Sequence, residues 1–194
     1  LNTNYPDHFT IADAKRGDIG NTANRYANAF FKTYCVDSVT VAPYMGREAV
    51  EPFLGFKDKF AILLALTSNK SADDFQYIKE NEQPMYEKVI KTSLNWKNSE
   101  RLMYVVGATK AEAFLSIRKL VPNSFLLVPG VGAQGGSLNE VANNGMNTQC
   151  GLLVNSSRGI IYASQKNDFA DDAAYQAEKL QKEMKTLLKS KGLI

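Results

Sequence analysis

The sequence has few of the residues on which many kinds of active site depend. It contains one histidine, His8, and two cysteines, Cys35 and Cys150, among 194 residues. A single histidine excludes mechanisms that need several imidazoles. Two thiols so far apart fit neither the ligand spacing of a zinc site nor a disulfide framework. Isolated thiols are typical of a reducing compartment, so the sequence predicts a cytoplasmic protein.

Long apolar runs and a basic stripe are missing as well. The longest apolar stretches, such as residues 125–128, are far too short to span a bilayer, and no secretion leader opens the chain. The 23 basic and 20 acidic residues are interspersed and leave a net charge of +3. A nucleic-acid interface needs a basic patch. We therefore expect a globular protein that binds neither membranes nor nucleic acid, with one domain over residues 1–194.

Short continuous apolar segments alternate with helical patterns along the chain. Continuous runs are typical of parallel strands that are buried on both faces. They lie at residues 9–12, 38–41, 60–64, 102–106, 124–128 and 151–154. Helical spacing predicts helices from about 21 to 34, from 112 to 120 and from 168 to 189, and two helical pieces within 73–96 that are separated at Gln83-Pro84.

This alternation predicts an α/β fold with a parallel sheet. Six βα units of roughly 30 residues account for the whole chain, whereas a closed (β/α)₈ barrel needs eight. Two architectures remain open at this point. One is an open sheet, and the other is a barrel without its first two units.

Charged residues follow the first predicted strand, at the edge where both folds place their active sites. Asp13 and Lys15 are two positions apart, so both side chains should point to one face, which on a buried strand is the interior. Burial of such a pair costs desolvation energy. The pair is either a structural ion pair or a charge array prepared for catalysis.

Glycines follow the fifth predicted strand with the spacing G-x-G-x-x-G, at Gly130, Gly132 and Gly135. A dinucleotide fingerprint also needs a carboxylate about 20 residues on, where this chain has Asn155 and Ser156, so we reject nicotinamide binding. The glycines either form a plain tight turn or leave backbone amides at a helix start that can hold a phosphate. Arg158 follows the sixth strand and is suited to clamp that phosphate.

Small polar residues end the third predicted strand. Thr67, Ser68 and Asn69 could read the polar edge of a heterocycle, although this signal is weak alone.

Several of these segments together resemble the orotidine 5′-phosphate decarboxylase family. Residues 13–22, DAKRGDIGNT, resemble its D-x-K-x-x-D-I-x-N-T signature, and 39–46 and 66–69 resemble a branch found in many bacteria and malaria parasites. Residues 105–109, 128–134 and 158–159 follow in the family's order. The resemblance covers essentially the whole chain. It implies a TIM (β/α)₈ barrel of which this chain supplies about six units, the third to the eighth.

The resemblance also implies a reaction without cofactor or metal, in which orotidine 5′-monophosphate (OMP) loses CO₂ to give UMP. Asp13 would lie against the departing carboxylate, and Lys15 would stabilise and protonate the carbanion. A further Asp and a catalytic Lys of the family would precede Leu1, so the domain would be incomplete at its amino terminus.

The remaining site residues are assigned by the same resemblance. Asp18 and Thr22 would reach into the partner's site of a homodimer, Ser68 would read the pyrimidine, and Gln134 and Arg158 would hold the phosphate. Thr67, Asn69 and Pro129 would line the pocket. Two alternatives stay open: a Mg²⁺-dependent sugar-phosphate decarboxylase or aldolase of the same barrel type, and a phosphate-binding remnant without catalysis.

Overall fold

The computed structural model describes residues 2–132 and 135–194, which form two compact units that divide between Val105 and Val106. No helix within these described ranges is long and apolar enough to cross a membrane. The strands are β1 Ile11–Arg16, β2 Ser38–Val41, β3 Phe60–Leu66, β4 Lys79–Glu80, β5 Gln83–Pro84, β6 Leu102–Val106, β7 Leu126–Pro129 and β8 Leu152–Asn155. The α-helices are α1 Gly20–Asn28, α2 Glu51–Leu54, α3 Met85–Ser93, α4 Ala113–Leu120, α5 Leu138–Gly145, α6 Ser157–Ile161 and α7 Phe169–Ser190.

The first unit is organised around parallel strands. Strand β2 pairs with β1 on one side and with β3 on the other, and β6 lies beside β3. Every residue of β2 and β6 is buried, as continuous apolar runs predict. Parallel strands with intervening helices confirm the predicted α/β class.

Strand β1 departs from the prediction in position and in burial. It runs from Ile11 to Arg16 instead of over residues 9–12, so Asp13 and Lys15 lie within the strand. The expectation that it is buried on both faces is wrong, because its residues are half-buried or exposed. The cause is its place at an edge, since β2 is its one strand neighbour among the described residues. The Arg16 guanidinium lies over the Tyr26 ring of α1 at 5.1 Å and packs this strand on its helix.

The helical pattern predicted from residue 73 is only half right. Its second piece is α3, but the first contains a short 3₁₀ helix, Lys70–Asp74, followed by the β4–β5 hairpin. Asn81 and Glu82 turn the hairpin with φ angles of 50° and 63°. Two-residue hairpin turns of type I′ need positive φ at both residues. Asn81 and Glu82 adopt this conformation, which helical spacing in the sequence does not reveal.

Asp37 connects the amino ends of three strands in the first unit. Its carboxylate accepts hydrogen bonds from the Thr10 backbone at 2.9 Å, the Thr10 hydroxyl at 2.7 Å and the Lys59 ammonium at 3.1 Å. Thr10 precedes β1, and Lys59 precedes β3. Partial burial alone would raise the pKa of Asp37, but the bonds from Thr10 and Lys59 outweigh it and lower the pKa below its ordinary value.

Arg118 has the corresponding place in the second unit, where β7 and β8 pair in parallel. Its guanidinium donates to four backbone carbonyls, those of Val121, Ser124, Gly145 and Gly151, over 2.5 to 3.1 Å. Burial lowers the pKa of Arg118 to about 10, an effect that Cys150 opposes. One side chain thereby joins the end of α4, the end of α5 and the segments that lead into β7 and β8.

Replacement of Asp37 by asparagine should lower the free energy of unfolding at neutral pH by about 1–3 kcal/mol, the usual cost of a broken charged hydrogen-bond group. Since the folded-state pKa of Asp37 is depressed, its contribution to the free energy of unfolding is complete above the unfolded-state pKa of about 4 and is lost as the pH falls through the folded-state pKa. The difference between D37N and wild type in urea unfolding should therefore shrink below about pH 4.

Asp74→Asn provides the matched control, because Asp74 is exposed on a 3₁₀ helix. It should change the free energy of unfolding by no more than about 0.5 kcal/mol. A D37N curve that runs parallel to wild type from pH 3 to 7 would show that the charge on Asp37 contributes nothing.

Candidate active site

Asp13 and Lys15 meet at the centre of β1. The Lys15 Nζ lies 2.5 Å from Asp13 Oδ1, so the two side chains share a face as predicted. They are not interior, because the Lys15 and Asp13 side chains are 53% and 62% exposed. An exposed ion pair adds little to folding stability. The pair therefore contributes little to the free energy of folding.

A wide bulge in β1 sets the position of this pair. Ala12 pairs with Val39 and Arg16 with Val41, so residues 13–15 together oppose Thr40 alone. Lys15 takes a left-handed φ of 49°, which is costly for a residue with a side chain. Bulges re-aim side chains and are frequent near active sites.

The buried Thr40 hydroxyl holds the bulge together. It accepts a hydrogen bond from the Lys15 backbone at 2.9 Å and donates one to Asp13 Oδ1 at 3.0 Å, and Thr40 is fully buried. The Asp13 carboxylate is thus held by Thr40 from β2 and by the Lys15 ammonium. Sequence analysis passed over Thr40, although its hydroxyl is the polar group between two fully buried valines, Val39 and Val41.

Asp18 and Thr22 lie where β1 turns into α1. The Asp18 carboxylate accepts the Ile19 backbone amide at 2.8 Å, and Thr22 is exposed in the first turn of α1. Three apolar side chains in the segments that follow β1 and β2 are exposed, Ile19, Tyr44 and Met45, of which Tyr44 is 92% exposed. These positions suit side chains that reach outward.

The carboxyl end of β3 carries Thr67, Ser68 and Asn69. Thr67 and Ser68 are half-buried, and Asn69 is exposed. The Thr67 hydroxyl lies 2.6 Å from Asn69 Oδ1, and the side chain of Gln76 contacts both the backbone and the hydroxyl of Thr67. Gln76 was not anticipated, since it follows the 3₁₀ helix in a stretch that the sequence predicts as helical.

The glycine loop after β7 is held by its own amides. The amides of Gly132, Gly135 and Gly136 donate to carbonyls of the same loop over 2.8 to 3.2 Å. A Cβ on Gly136 would lie 2.4 Å from the Ala108 Cβ, so this position requires glycine. At the start of α5, Ser137 accepts the Glu140 amide. In this conformation these four amides stabilise the loop and the helix start rather than present donors to a phosphate.

Ser156 ties this loop to the turn that carries Arg158. Its hydroxyl donates to the Val131 carbonyl at 3.2 Å. A Cβ on Gly159 would lie 2.8 Å from the Ser156 hydroxyl oxygen. Arg158 is exposed in α6, and Pro129 ends β7 opposite Asn155 of β8. Gln134, predicted to bind the phosphate, lies outside the described residues. Ser156 was missed because its hydroxyl acts through the loop backbone.

The predicted site residues fall into two groups. Asp13, Lys15, Asp18, Thr22 and residues 67–69 belong to the first unit, and Pro129 and Arg158 to the second. Within the described ranges, no three His, Cys, Asp or Glu side chains are grouped as metal ligands would be.

Comparison with known proteins gives one consistent family. Residues 2–173 match the family described as "Orotidine 5'-phosphate decarboxylase / HUMPS family". The chain is 63% identical over 191 residues to the orotidine 5′-phosphate decarboxylase of Flavobacterium johnsoniae, which covers 98% of this chain and 70% of that protein. It is 60% identical over 195 residues to that of Parabacteroides distasonis, over 100% of this chain and 70% of that protein.

Solved structures agree with the sequence matches. Leishmania donovani OMP decarboxylase superposes with a TM-score of 0.79 at 33% identity, over 91% of this chain and 67% of that one. Plasmodium berghei orotidine 5′-monophosphate decarboxylase gives 0.74 at 28% identity, over 96% and 59% of the two chains.

Thr40→Val should lower the free energy of unfolding by about 1–3 kcal/mol, because it preserves volume but leaves the Lys15 amide without its acceptor. Chemical denaturation measures the change. The matched control is Thr186→Val, since the Thr186 hydroxyl is exposed on α7, and this variant should stay within about 0.5 kcal/mol of wild type. Equal stability of the two variants would contradict a role for Thr40 in holding the bulge.

Proposed function

The chain belongs to the orotidine 5′-phosphate decarboxylase / HUMPS family, and we propose that it converts OMP to UMP and CO₂. This membership confirms the resemblance found in the sequence. The family's fold is the (β/α)₈ barrel, of which the six strands β1, β2, β3, β6, β7 and β8 supply about six units. The observation that carries the proposal is the Asp13–Lys15 pair on the β1 bulge, in a chain that is 63% identical to a decarboxylase.

The two alternatives are not favoured. The family description names HUMPS beside orotidine 5′-phosphate decarboxylase. The family match alone therefore does not separate an OMP decarboxylase from the sugar-phosphate alternative. The curated relatives at 55–63% identity are named orotidine 5′-phosphate decarboxylase without exception among the eight compared. A phosphate-binding remnant would bind UMP without turnover.

The charge array on β1 explains the chemical step. The substrate carboxylate on C6 approaches the Asp13 carboxylate, and this repulsion is relieved when CO₂ departs. The electron pair of the broken bond stays on C6, where the Lys15 ammonium stabilises it. Lys15 then transfers a proton to C6, which completes UMP, and regains a proton from water. An ammonium already oriented toward the developing charge needs no reorganisation during the reaction.

The other site residues supply binding energy and orientation. Ser68 reads the pyrimidine, Thr67, Asn69 and Pro129 line the pocket, and Gln134 and Arg158 hold the phosphate. Arg158 suits this role because a guanidinium can donate two parallel hydrogen bonds to phosphate oxygens. The tie from Ser156 to Val131 supports its position relative to the glycine loop. Phosphate binding far from C6 can then contribute to the rate.

We further propose a cytoplasmic homodimer with shared active sites and a single barrel domain over residues 1–194. Asp18 and Thr22 would complete the charge array and ribose site of the partner. The exposed apolar residues Ile19 and Met45 support this, because Ile19 follows Asp18, Met45 lies near Gly17, and a partner would bury such side chains. The Met45 side chain lies 3.5 Å from the Cβ position of Gly17, next to Asp18.

Lys15→Ala should lower kcat for OMP by at least about a thousand-fold, since it removes both the proton donor and the stabilising charge. Its affinity for UMP should stay within about tenfold of wild type, because the binding groups remain. CO₂ release and calorimetry measure the two quantities. Lys57→Ala, at an exposed lysine, is the control and should match wild type.

A mixture of Lys15→Ala and Asp18→Ala chains tests the shared site at the same time. If Asp18 acts in the partner's site, each mixed dimer regains one complete site, so about a quarter of wild-type turnover should return. Retained turnover in Lys15→Ala alone would contradict its catalytic role, and a mixture without recovery would contradict the sharing of sites.

Arg158→Ala should weaken UMP binding by at least about 2 kcal/mol and leave uridine binding unchanged, since it removes a charge-assisted contact to phosphate alone. Titration with both ligands gives the ratio of affinities. Ser157→Ala is the control and should leave the ratio of affinities unchanged, because the Ser157 hydroxyl bonds to Asn155 in the same turn. An unchanged ratio in Arg158→Ala would exclude Arg158 as the phosphate clamp.

A further inference from the structure

Three hydrogen bonds join the polar side chains that follow β3 into one chain. The Thr67 backbone amide donates to Gln76 Oε1 at 2.8 Å, Gln76 Nε2 donates to the Thr67 hydroxyl at 2.8 Å, and that hydroxyl lies 2.6 Å from Asn69 Oδ1. One residue, Thr67, therefore receives both ends of the Gln76 amide. Side chains that share a residue in this way cannot rotate independently.

The direction of the chain follows from chemistry. A backbone amide can only donate, so the group of Gln76 that faces it must be the oxygen. The nitrogen of the same amide must then face the Thr67 hydroxyl, which accepts from it. The orientation of Gln76 is thus fixed by the backbone of Thr67 and does not depend on a choice between two amide rotamers.

The last bond continues in the same direction. Because the Thr67 oxygen already accepts from Gln76, its own proton is available for Asn69. The separation of 2.6 Å is typical of O–H···O and short for N–H···O, whose usual length is near ~2.9 Å. The oxygen of Asn69 therefore accepts, and its two N–H donors point away from Thr67.

Gln76 is itself held on both sides by backbone bonds. Its backbone amide donates to the Ala72 carbonyl at 2.8 Å, and its backbone carbonyl accepts from the Tyr86 backbone amide, at the start of α3, at 3.1 Å. Ala72 is buried in the 3₁₀ helix, and Tyr86 is buried in α3. The Gln76 side chain thus transmits the position of two packed segments to the end of β3.

We propose that Gln76 is a positioning residue that makes Asn69 present N–H donors, and not its carbonyl oxygen, to the base of the substrate. The inference rests on the proposed function, in which Ser68 reads the pyrimidine and Asn69, next to it in the sequence, lines the same pocket. A donor at this point selects a carbonyl oxygen on the base and rejects a ring that carries an amino group there. The Thr67 amide and hydroxyl act within the chain and are not the groups that contact the substrate.

Two isosteric variants test the direction of the chain. In Gln76→Glu, the carboxylate accepts from both the amide and the hydroxyl of Thr67, so the hydroxyl turns from Asn69 and the chain reverses. In Asn69→Asp, the acceptor of Thr67 remains but the outward donors are lost. Both should weaken UMP binding by about tenfold or more, as expected when a buried polar group of a ligand loses its partner. The probes are UMP and ribose 5-phosphate.

Ribose 5-phosphate separates positioning from general damage, since it has no base. Its affinity should stay within about twofold of wild type in both variants. The control Gln149→Glu introduces the same charge at an exposed glutamine and should leave both affinities unchanged. If UMP and ribose 5-phosphate weaken equally in Gln76→Glu, the residue has only a structural role and the proposal is overturned.

A measurement without ligand keeps the test separate from the proposed function. Hydrogen exchange at the Thr67 amide should accelerate about tenfold or more in Gln76→Ala, which removes its acceptor, and not in Gln149→Ala. An unchanged rate of hydrogen exchange at the Thr67 amide would overturn the proposed series of hydrogen bonds. A wild-type chain that binds ribose 5-phosphate but not UMP would instead overturn the proposed function, and with it the role of Asn69, whatever the exchange shows.

Discussion

The position of the charged pair depends on one buried hydroxyl. Thr40 lies opposite three residues of β1. Its hydroxyl oxygen accepts a hydrogen bond from the Lys15 backbone amide, and its O–H donates one to the Asp13 carboxylate. Without that oxygen, a bulge of this width would leave a backbone donor without a partner beside a fully buried strand. The left-handed φ of Lys15 is a strain that the neighbouring strand maintains. Both side chains of the charged pair remain more than half exposed although the backbone that carries them is held in place.

Single side chains also hold the backbone at two other strand ends. Gln76 fixes the turn after β3, and Ser156 fixes the glycine loop against the turn after β8. Neither residue is assigned to contact the substrate, and both use hydrogen bonds to a loop backbone or hydroxyl. Loops that carry binding residues are mobile unless such supports hold them.

Sequence reasoning succeeded where a residue type has one dominant explanation. Continuous apolar runs located β2 and β6 at their observed bounds, and the motif at residues 13–22 identified the family. It failed where several residues act jointly. The hairpin at Asn81 and Glu82 depends on a backbone conformation that asparagine and glutamate adopt only in context, and helical spacing overrode it.

The bulge in β1 and the bonds of Gln76 could not be predicted for a related reason. A bulge is a property of the pairing between two strands, and periodicity within one strand carries no record of it. Thr40 offered a signal, since a hydroxyl within a buried run requires a partner. Gln76 offered none, because an amide nine residues from Thr67 is uninformative until the turn between them is known.

Near the starts of strands, the Asp37 carboxylate gathers one backbone amide and two side chains in the first unit, and Arg118 gathers backbone carbonyls in the second. The residues assigned to the reaction instead follow the strands or lie in the β1 bulge. Apart from Thr40, which serves both, the residues that stabilise each unit and the residues assigned to the reaction lie at separate positions. Mutations in the loops after the strands can alter which molecules are recognised without removing the Asp37 and Arg118 bonds that stabilise each unit internally. A scaffold divided in this way is open to evolutionary change, because substitutions in those loops leave the anchoring aspartate and arginine untouched.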